Sequence, residues 1–139
     1  MIKNRKAFTM LELVFVIVVI GILSAIAIPK FALTRNDAVI TKAKTTIATV
    51  RSAISTTRQK NILQGIFDDL NKTTIGNEFT HMLEYNVTSC NVDGCNGWET
   101  GGSETAPTYT FNGPTGDVVY TYQNKKLECT SGLCAEYGN

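Results

Sequence analysis

Residues 7–29 read AFTMLELVFVIVVIGILSAIAIP, and this stretch decides the fold of the chain. Between Leu13 and Ile28, Ser24 is the one polar side chain. The 21 residues from Phe8 to Ile28 would form a helix of roughly 31 Å, which is close to the hydrocarbon thickness of a bilayer. The sequence therefore predicts a helix that crosses a membrane.

Glu12 is the exception within this apolar stretch. A carboxylate inside a membrane helix costs about 2.5–3.5 kcal/mol, so its presence indicates a partner that pairs with it. The plainer alternative is an acid near the cytoplasmic interface whose side chain reaches water. A segment that served only as an anchor would not need such a residue.

Three cations precede the apolar run: Lys3, Arg5 and Lys6. They predict a cytoplasmic N-terminus, with the rest of the chain on the far side of the membrane. Ala25-Ile26-Ala27 is also typical of a signal-peptide cleavage site, which would release a soluble domain beginning at Ile28. An uncleaved plain anchor is the other alternative. Glu12, and a helical pattern that continues beyond the apolar run, argue against both.

The segment Lys6-Ala7-Phe8-Thr9-Met10-Leu11-Glu12 resembles the processing site of prepilins, the precursors of type IV pilins and of type II secretion pseudopilins. The resemblance implies that a prepilin peptidase removes residues 1–7 as a basic leader. The cut would fall between Ala7 and Phe8, and Phe8 would then be N-methylated. The family usually has Gly at the position where this chain has Ala7.

The resemblance also assigns roles within residues 8–29, which would form the transmembrane and assembly helix. Glu12 corresponds to the acidic residue of the family, and Pro29 to the proline that ends the membrane stretch. Methylation retains the positive charge of the new amine on Phe8, one helical turn from Glu12. Glu12 could pair with this amine or with that of an adjacent subunit. Because an unpaired buried carboxylate is costly, pairing would set the stagger between helices.

Pro29 is expected to kink or locally melt the helix, because it removes one backbone hydrogen bond and clashes with the preceding turn. Beyond it, residues 30–60 form an amphipathic half-helix. Its apolar positions recur at helical spacing, typical of a face that packs on a small sheet: Val39, Ala43, Ile47, Val50 and Ile54. The pattern predicts one helix from about Phe8 to about Lys60.

Residues 61–139 form a globular head, which is too short for a large core. We predict a short helix over Ile62–Leu70 after a break near Asn61, and an irregular loop over Asp93–Pro107. Three strand patterns separated by turns follow: Thr108–Phe111, Asp117–Tyr122 and Lys126–Cys129. The predicted fold is α+β and pilin-like, with the long helix packed on a small antiparallel sheet.

The head contains four cysteines in two similarly spaced pairs: Cys90 and Cys95, and Cys129 and Cys134. In an exported domain with a small core, an even number of cysteines predicts disulfides. Bonds within each pair are favoured. A crossed pairing, which restricts the unfolded chain more, and a four-cysteine zinc site are the alternatives.

We expect no cofactor, no metal and no enzymatic activity. The one histidine, His81, has no Ser or Cys arrangement around it that would indicate nucleophilic chemistry. Calcium is the alternative, since Asp93 and Asp117 could bind it as the heads of some pseudopilins do. The carboxylates lack the regular spacing of a calcium loop.

Charge is unevenly distributed along the chain. Residues 30–60 contain seven basic residues and one acid, a net charge of +6, whereas residues 61–139 contain three basic and ten acidic residues, a net charge of −7. Opposite charges favour contacts between subunits. The basic helix face could instead bind DNA through phosphate contacts.

These features predict a structural protein, a pilin-like subunit of a helical filament that spans the periplasm. Before assembly, the subunit would reside in the bacterial inner membrane as a single-pass protein with a cytoplasmic N-terminus and a periplasmic head. The resemblance implies a type II secretion system, a type IV pilus or a DNA-uptake (transformation) system, and the small head favours the pseudopilin or competence type.

Several partners follow from this interpretation. They are further copies of the chain, related minor pilins or pseudopilins, the prepilin peptidase, an inner-membrane assembly platform and membrane lipid. The alternative class is a binding module, either a membrane-anchored DNA receptor or a periplasmic binding domain.

Overall fold

A computed structural model describes residues 8–90, 92 and 94–138. Along the described chain the elements are α1 (Met10–Leu63), α2 (Lys72–Ile75), the 3-10 turn Asn77–Phe79, β1 (Gly97–Gly102), β2 (Pro107–Asn112), β3 (Asp117–Gln123), β4 (Lys126–Gly132) and α3 (Cys134–Tyr137). The chain forms two compact units that divide between Arg35 and Asn36. The second half of α1 therefore belongs to the same unit as the sheet.

α1 is 54 residues long and continues through Pro29 without interruption. The locally melted turn predicted at Pro29 is therefore wrong. Proline removes only its own N–H from the helical ladder, and the neighbouring turns keep their own hydrogen bonds. One missing donor does not end the helix here.

Gly65 ends α1. Its φ of +79° places it in the left-handed region that glycine adopts readily. The Ile66 N–H donates to the Asn61 carbonyl at 2.9 Å, and the Gly65 N–H donates to the Ile62 carbonyl at 3.0 Å. This pair of bonds is a Schellman motif. The predicted helix over Ile62–Leu70 is therefore wrong, because α1 continues to Leu63 and residues 66–71 are not helical.

The second half of α1 buries one apolar stripe against the head. Five apolar side chains in this half are at most 8% exposed: Ile40, Ala43, Ile47, Val50 and Ile54. Four of these belong to the predicted stripe, and Val39 is half-buried beside them. The stripe forms one core cluster with the inner face of the sheet and with Phe79, Leu83 and Tyr137. The predicted α+β architecture, a long helix packed on a small antiparallel sheet, is confirmed.

The sheet is an antiparallel meander with the strand order β1-β2-β3-β4. Side chains of β2 and β3 alternate between buried and more exposed positions, as expected for a sheet with one face on a core. Cross-strand pairs on the buried face include Tyr109 with Tyr120 and Phe111 with Val118. The three predicted strands fall within β2, β3 and β4.

The predicted irregular loop over Asp93–Pro107 is wrong in part, because it contains β1. Its glycines indicated a loop, yet Gly97 serves a close backbone approach. A Cβ at Gly97 would stand 2.6 Å from the Thr88 carbonyl oxygen. The Trp98 N–H donates to that same carbonyl at 2.8 Å, and Ser89 forms a bridge with Trp98.

Two buried tyrosine hydroxyls tie the sheet to neighbouring segments. The Tyr109 hydroxyl donates to the Gly76 carbonyl at 3.1 Å. The Tyr120 hydroxyl lies 3.2 Å and 3.1 Å from the carbonyl oxygens of Tyr137 and Gly138. Burial raises the pKa of both phenols, so both remain hydrogen-bond donors at neutral pH.

Replacing Ile47 with Ala is expected to destabilise the head, because Ile47 is 2% exposed and lies in the core cluster. A buried change of this kind lowers the free energy of unfolding by about 2–5 kcal/mol. The matched control is Ile62→Ala on the same helix, where the side chain is 48% exposed and a loss of about 0.5 kcal/mol or less is expected. Denaturant unfolding of the full chain in detergent, followed by Trp98 fluorescence, measures both. Equal losses would contradict this packing.

Candidate assembly and processing site

Thr9 caps the start of α1. Its hydroxyl accepts a hydrogen bond from the Glu12 N–H at 3.3 Å, and its carbonyl accepts one from the Leu13 N–H at 3.2 Å. Glu12 therefore lies in the first turn of the helix, where an acidic side chain interacts favourably with the positive end of the helix dipole. Thr9 and Glu12 have the spacing of a capping box.

The Thr9–Glu12 spacing is a signal in the sequence for a helix start. Interpreting Glu12 only as a membrane-buried acid does not account for this spacing. Thr-x-x-Glu before an apolar run marks a helix start. The Glu12 side chain is exposed, and its carboxylate makes no hydrogen bond or ion pair with any residue of the described chain. Glu12 thus has a local role at the helix start and a carboxylate that is available to a further partner.

The large apolar side chains between Phe8 and Leu33 are exposed on all sides of the helix. Their exposed fractions run from 37% at Val19 to 84% at Met10. This part of α1 is long and apolar enough to cross a membrane, with a mean hydropathy of 2.9 over its 18-residue window and none of that window buried. An apolar surface of this size needs a covering of lipid or protein.

Phe8 is the first residue that the structure describes, and it is 79% exposed. Ala7, and with it the predicted leader 1–7, lies outside the described residues. The mature N-terminus that the predicted cut would create stands one residue before the Thr9 cap. The predicted methylation and assembly residues, Phe8 and Glu12, thus flank the first capped turn of α1.

Both disulfides of the head are local. Cys90 bonds to Cys95 and Cys129 bonds to Cys134, with Cα separations of 5.9 and 5.8 Å. The Cys90 N–H donates to the Trp98 carbonyl at 2.9 Å, so the first disulfide lies beside β1. The second joins β4 to α3. With the sulfurs bonded to one another, none of the four is a thiolate that the alternative zinc site would require.

The part of the chain that the structure describes contains no set of ligands that would support the calcium alternative. Asp117 is exposed at the start of β3, and Asp93 lies outside the described residues. No group of three or more His, Cys, Asp or Glu side chains among those described is placed to hold a metal ion. The Nδ1 of His81 lies 2.9 Å from the Thr73 carbonyl oxygen, which gives this histidine a structural hydrogen bond.

Known proteins share both the processing segment and most of the chain. Residues 2–28 match the family described as the prokaryotic N-terminal methylation motif. The chain is also similar to the type IV narrow pilus major component PilA5 of Thermus thermophilus, with 38% identity over 94 residues. The aligned region covers 64% of this chain and 81% of that protein. No solved structure matches the chain significantly.

The chain belongs to the type IV pilin family. The predicted resemblance is therefore confirmed, and with it the general role of a pilin subunit of a filament that assembles with other pilins. The exposed apolar half of α1 suits membrane anchoring and filament assembly.

Proposed function

We propose that the chain is made as a prepilin in the bacterial inner membrane. A prepilin peptidase removes residues 1–7 by cutting between Ala7 and Phe8, and Phe8 is N-methylated. The match of residues 2–28 to the methylation motif supports this processing. The cations of the leader hold the N-terminus in the cytoplasm. Residues 8–29 cross the membrane once and later assemble, residues 30–60 form the amphipathic half-helix, and residues 61–139 form the globular head in the periplasm.

The observation that carries the proposal is the exposed apolar surface of α1 between Phe8 and Leu33. Lipid covers this surface before assembly, and the same surface of neighbouring copies covers it in the filament. Transfer into the filament thus moves this part of α1 from one apolar environment to another. In the filament, helix packing and the pairing of polar groups favour association. The second half of α1 already packs in the core of the head.

Glu12 makes the exchange favourable and specific. In the filament, the methylated amine of Phe8 from a neighbouring copy gives the Glu12 carboxylate a positive partner. Removing one member of a buried pair of this kind costs about 3–5 kcal/mol. Only packings that bring these two groups together are therefore stable, and the pair sets the axial stagger between adjacent helices.

The filament is a type IV pilus in this proposal. The relative named as the major component of a narrow type IV pilus supports this choice over the type II secretion and DNA-uptake filaments. The partners are further copies of the chain, related minor pilins, the prepilin peptidase and an inner-membrane assembly platform.

Mass spectrometry of the protein isolated from membranes tests the processing step. The expected mature chain begins at N-methylated Phe8. The Ala7→Gly variant, which has the residue usual in the family, should yield the same N-terminus and serves as the control. A mature chain that begins at Ile28 would identify a secretory signal instead and would contradict the proposal.

Replacing Glu12 separates its two roles. Glu12→Gln leaves the Thr9 cap in place, because the Thr9 hydroxyl accepts from the backbone N–H of residue 12, but it removes the charge. We expect Glu12→Gln and Glu12→Ala to be inserted and cleaved normally, but to lower filament yield by at least about tenfold, because both lose the buried pair. Sheared filaments are quantified against the membrane-bound subunit. Normal assembly of Glu12→Gln would contradict the pairing role of the Glu12 charge.

A further inference from the structure

A groove lined by cations lies between α1 and the β3–β4 hairpin. It encloses about 720 Å³, and its charged lining residues are four cations and one carboxylate: Arg51, Arg58, Lys125, Lys126 and Glu128. Arg51 and Arg58 are two turns apart on one face of α1. Lys125 and Lys126 come from the tight turn of the hairpin, where Asn124 and Lys125 have positive φ of 50° and 67°. We call this surface the basic groove.

Arg51 is held in place within the basic groove. Its Nε donates to the Leu127 carbonyl at 3.0 Å, and its guanidinium carbon lies 5.9 Å from the centre of the Tyr120 ring. Two elements that are distant in sequence thus orient one guanidinium. Arg51 thus joins α1 to the β3–β4 hairpin and adds a fixed positive charge to the wall of the groove.

Negative charge lies on the solvent-facing side of the sheet. A second depression, of about 580 Å³, is bordered by the segment before β1, by β2 and by the start of β3, and the charged residues in its described lining are Glu99 and Asp117. Both side chains are exposed. Glu99 pairs with Thr110 and Asp117 pairs with Asn112, on the face opposite the buried Trp98. We call Glu99 and Asp117 the acidic face.

The basic groove and the acidic face are separate surfaces of the head, and Asp117 of the acidic face lies on the inner strand β3. β4, which lines the basic groove, is one edge strand, and β1, which carries Glu99, is the other. A contact that joins these two surfaces between copies uses different patches on the two partners. Such a heterologous contact generates an open helical filament when its rotation does not close a ring.

We infer that the basic groove of one copy receives the acidic face of a second copy of this chain. The inference rests on the proposed function, because it gives the heads of the filament their mutual contact. Exposed ion pairs are individually weak. The contact therefore sets register and partner choice between heads, whereas packing of the apolar halves of α1 supplies the main cohesion.

A second copy fits the basic groove better than a nucleic acid does. None of the described lining residues is aromatic, so unpaired bases would have no surface to stack on. The chain itself supplies the complementary charge, since the charged lining of the groove is four cations and one carboxylate and that of the acidic face is Glu99 and Asp117.

Photo-crosslinking of the full chain in producing cells tests this contact. A photoreactive amino acid replaces Lys126, and covalent dimers are excised from a gel and mapped by mass spectrometry. The expected dimer joins position 126 to a peptide that contains Glu99 or Asp117. The same probe at Lys44, an exposed cation of α1 outside the groove, should not reach those peptides. Crosslinks only to nucleic acid, to a different protein or to other peptides, or no crosslink, would overturn the inference.

An exchange of charges provides an independent readout. Lys125→Asp with Lys126→Glu, and separately Glu99→Lys with Asp117→Lys, should each lower filament yield by at least about threefold, and all four changes together should restore it to within about twofold. Immunoblots of the membrane-bound subunit check that each variant accumulates normally. If the losses of filament yield in the two double variants simply add up in the fourfold variant, the inference is overturned.

The two proposals fail in different ways. Normal filament yield in both double variants would remove the contact between heads and leave the proposed function intact. Absence of filaments from cells that make the processed wild-type chain would contradict the proposed function. In that case crosslinking in membranes still decides whether the basic groove binds a second copy.

Discussion

Exposure of the first half of α1 to water is unfavourable, and the rest of the structure depends on this constraint. Apolar side chains between Phe8 and Leu33 are exposed on every side, and each Å² of such surface kept from water is worth about 25 cal/mol. The segment is therefore stable only in lipid or among other copies. Membership of the pilin family implies assembly with other pilins, so one stretch of helix suits both membrane anchoring and filament assembly.

The head folds without using that surface. The chain divides into compact units between Arg35 and Asn36, and the core combines the buried stripe of the second half of α1 with the aromatic inner face of the sheet. Two local disulfides secure the segments on either side of that sheet. The core of the head thus uses apolar side chains of the second half of α1, whereas those of the first half are exposed. A mutation in one half can damage stability while a mutation in the other damages only filament formation.

The spacing of apolar residues in the sequence predicted the long helix, its buried stripe and two of the strands. The apolar run, the stripe around Ile47 and the alternating strands β2 and β3 all followed from spacing in the sequence. β1 was missed because the glycines near Gly97 indicate a loop, whereas the structure uses Gly97 to let the Thr88 backbone approach. The Thr9 cap is marked in the sequence by the capping-box spacing of Thr9 and Glu12. The basic groove could not be predicted, because it brings Arg51 to Leu127 across 76 residues of sequence.

The central claim is that the Phe8 amine of one copy pairs with the Glu12 carboxylate of another. Solid-state NMR tests it on filaments reassembled from a mixture of subunits, one set labelled with ¹⁵N at the Phe8 amine and the other with ¹³C at the Glu12 carboxylate. Coupling in this sample arises only between copies. The account predicts a measurable dipolar coupling that corresponds to a separation of about 4 Å. Filaments that are well ordered but lack this coupling would contradict it.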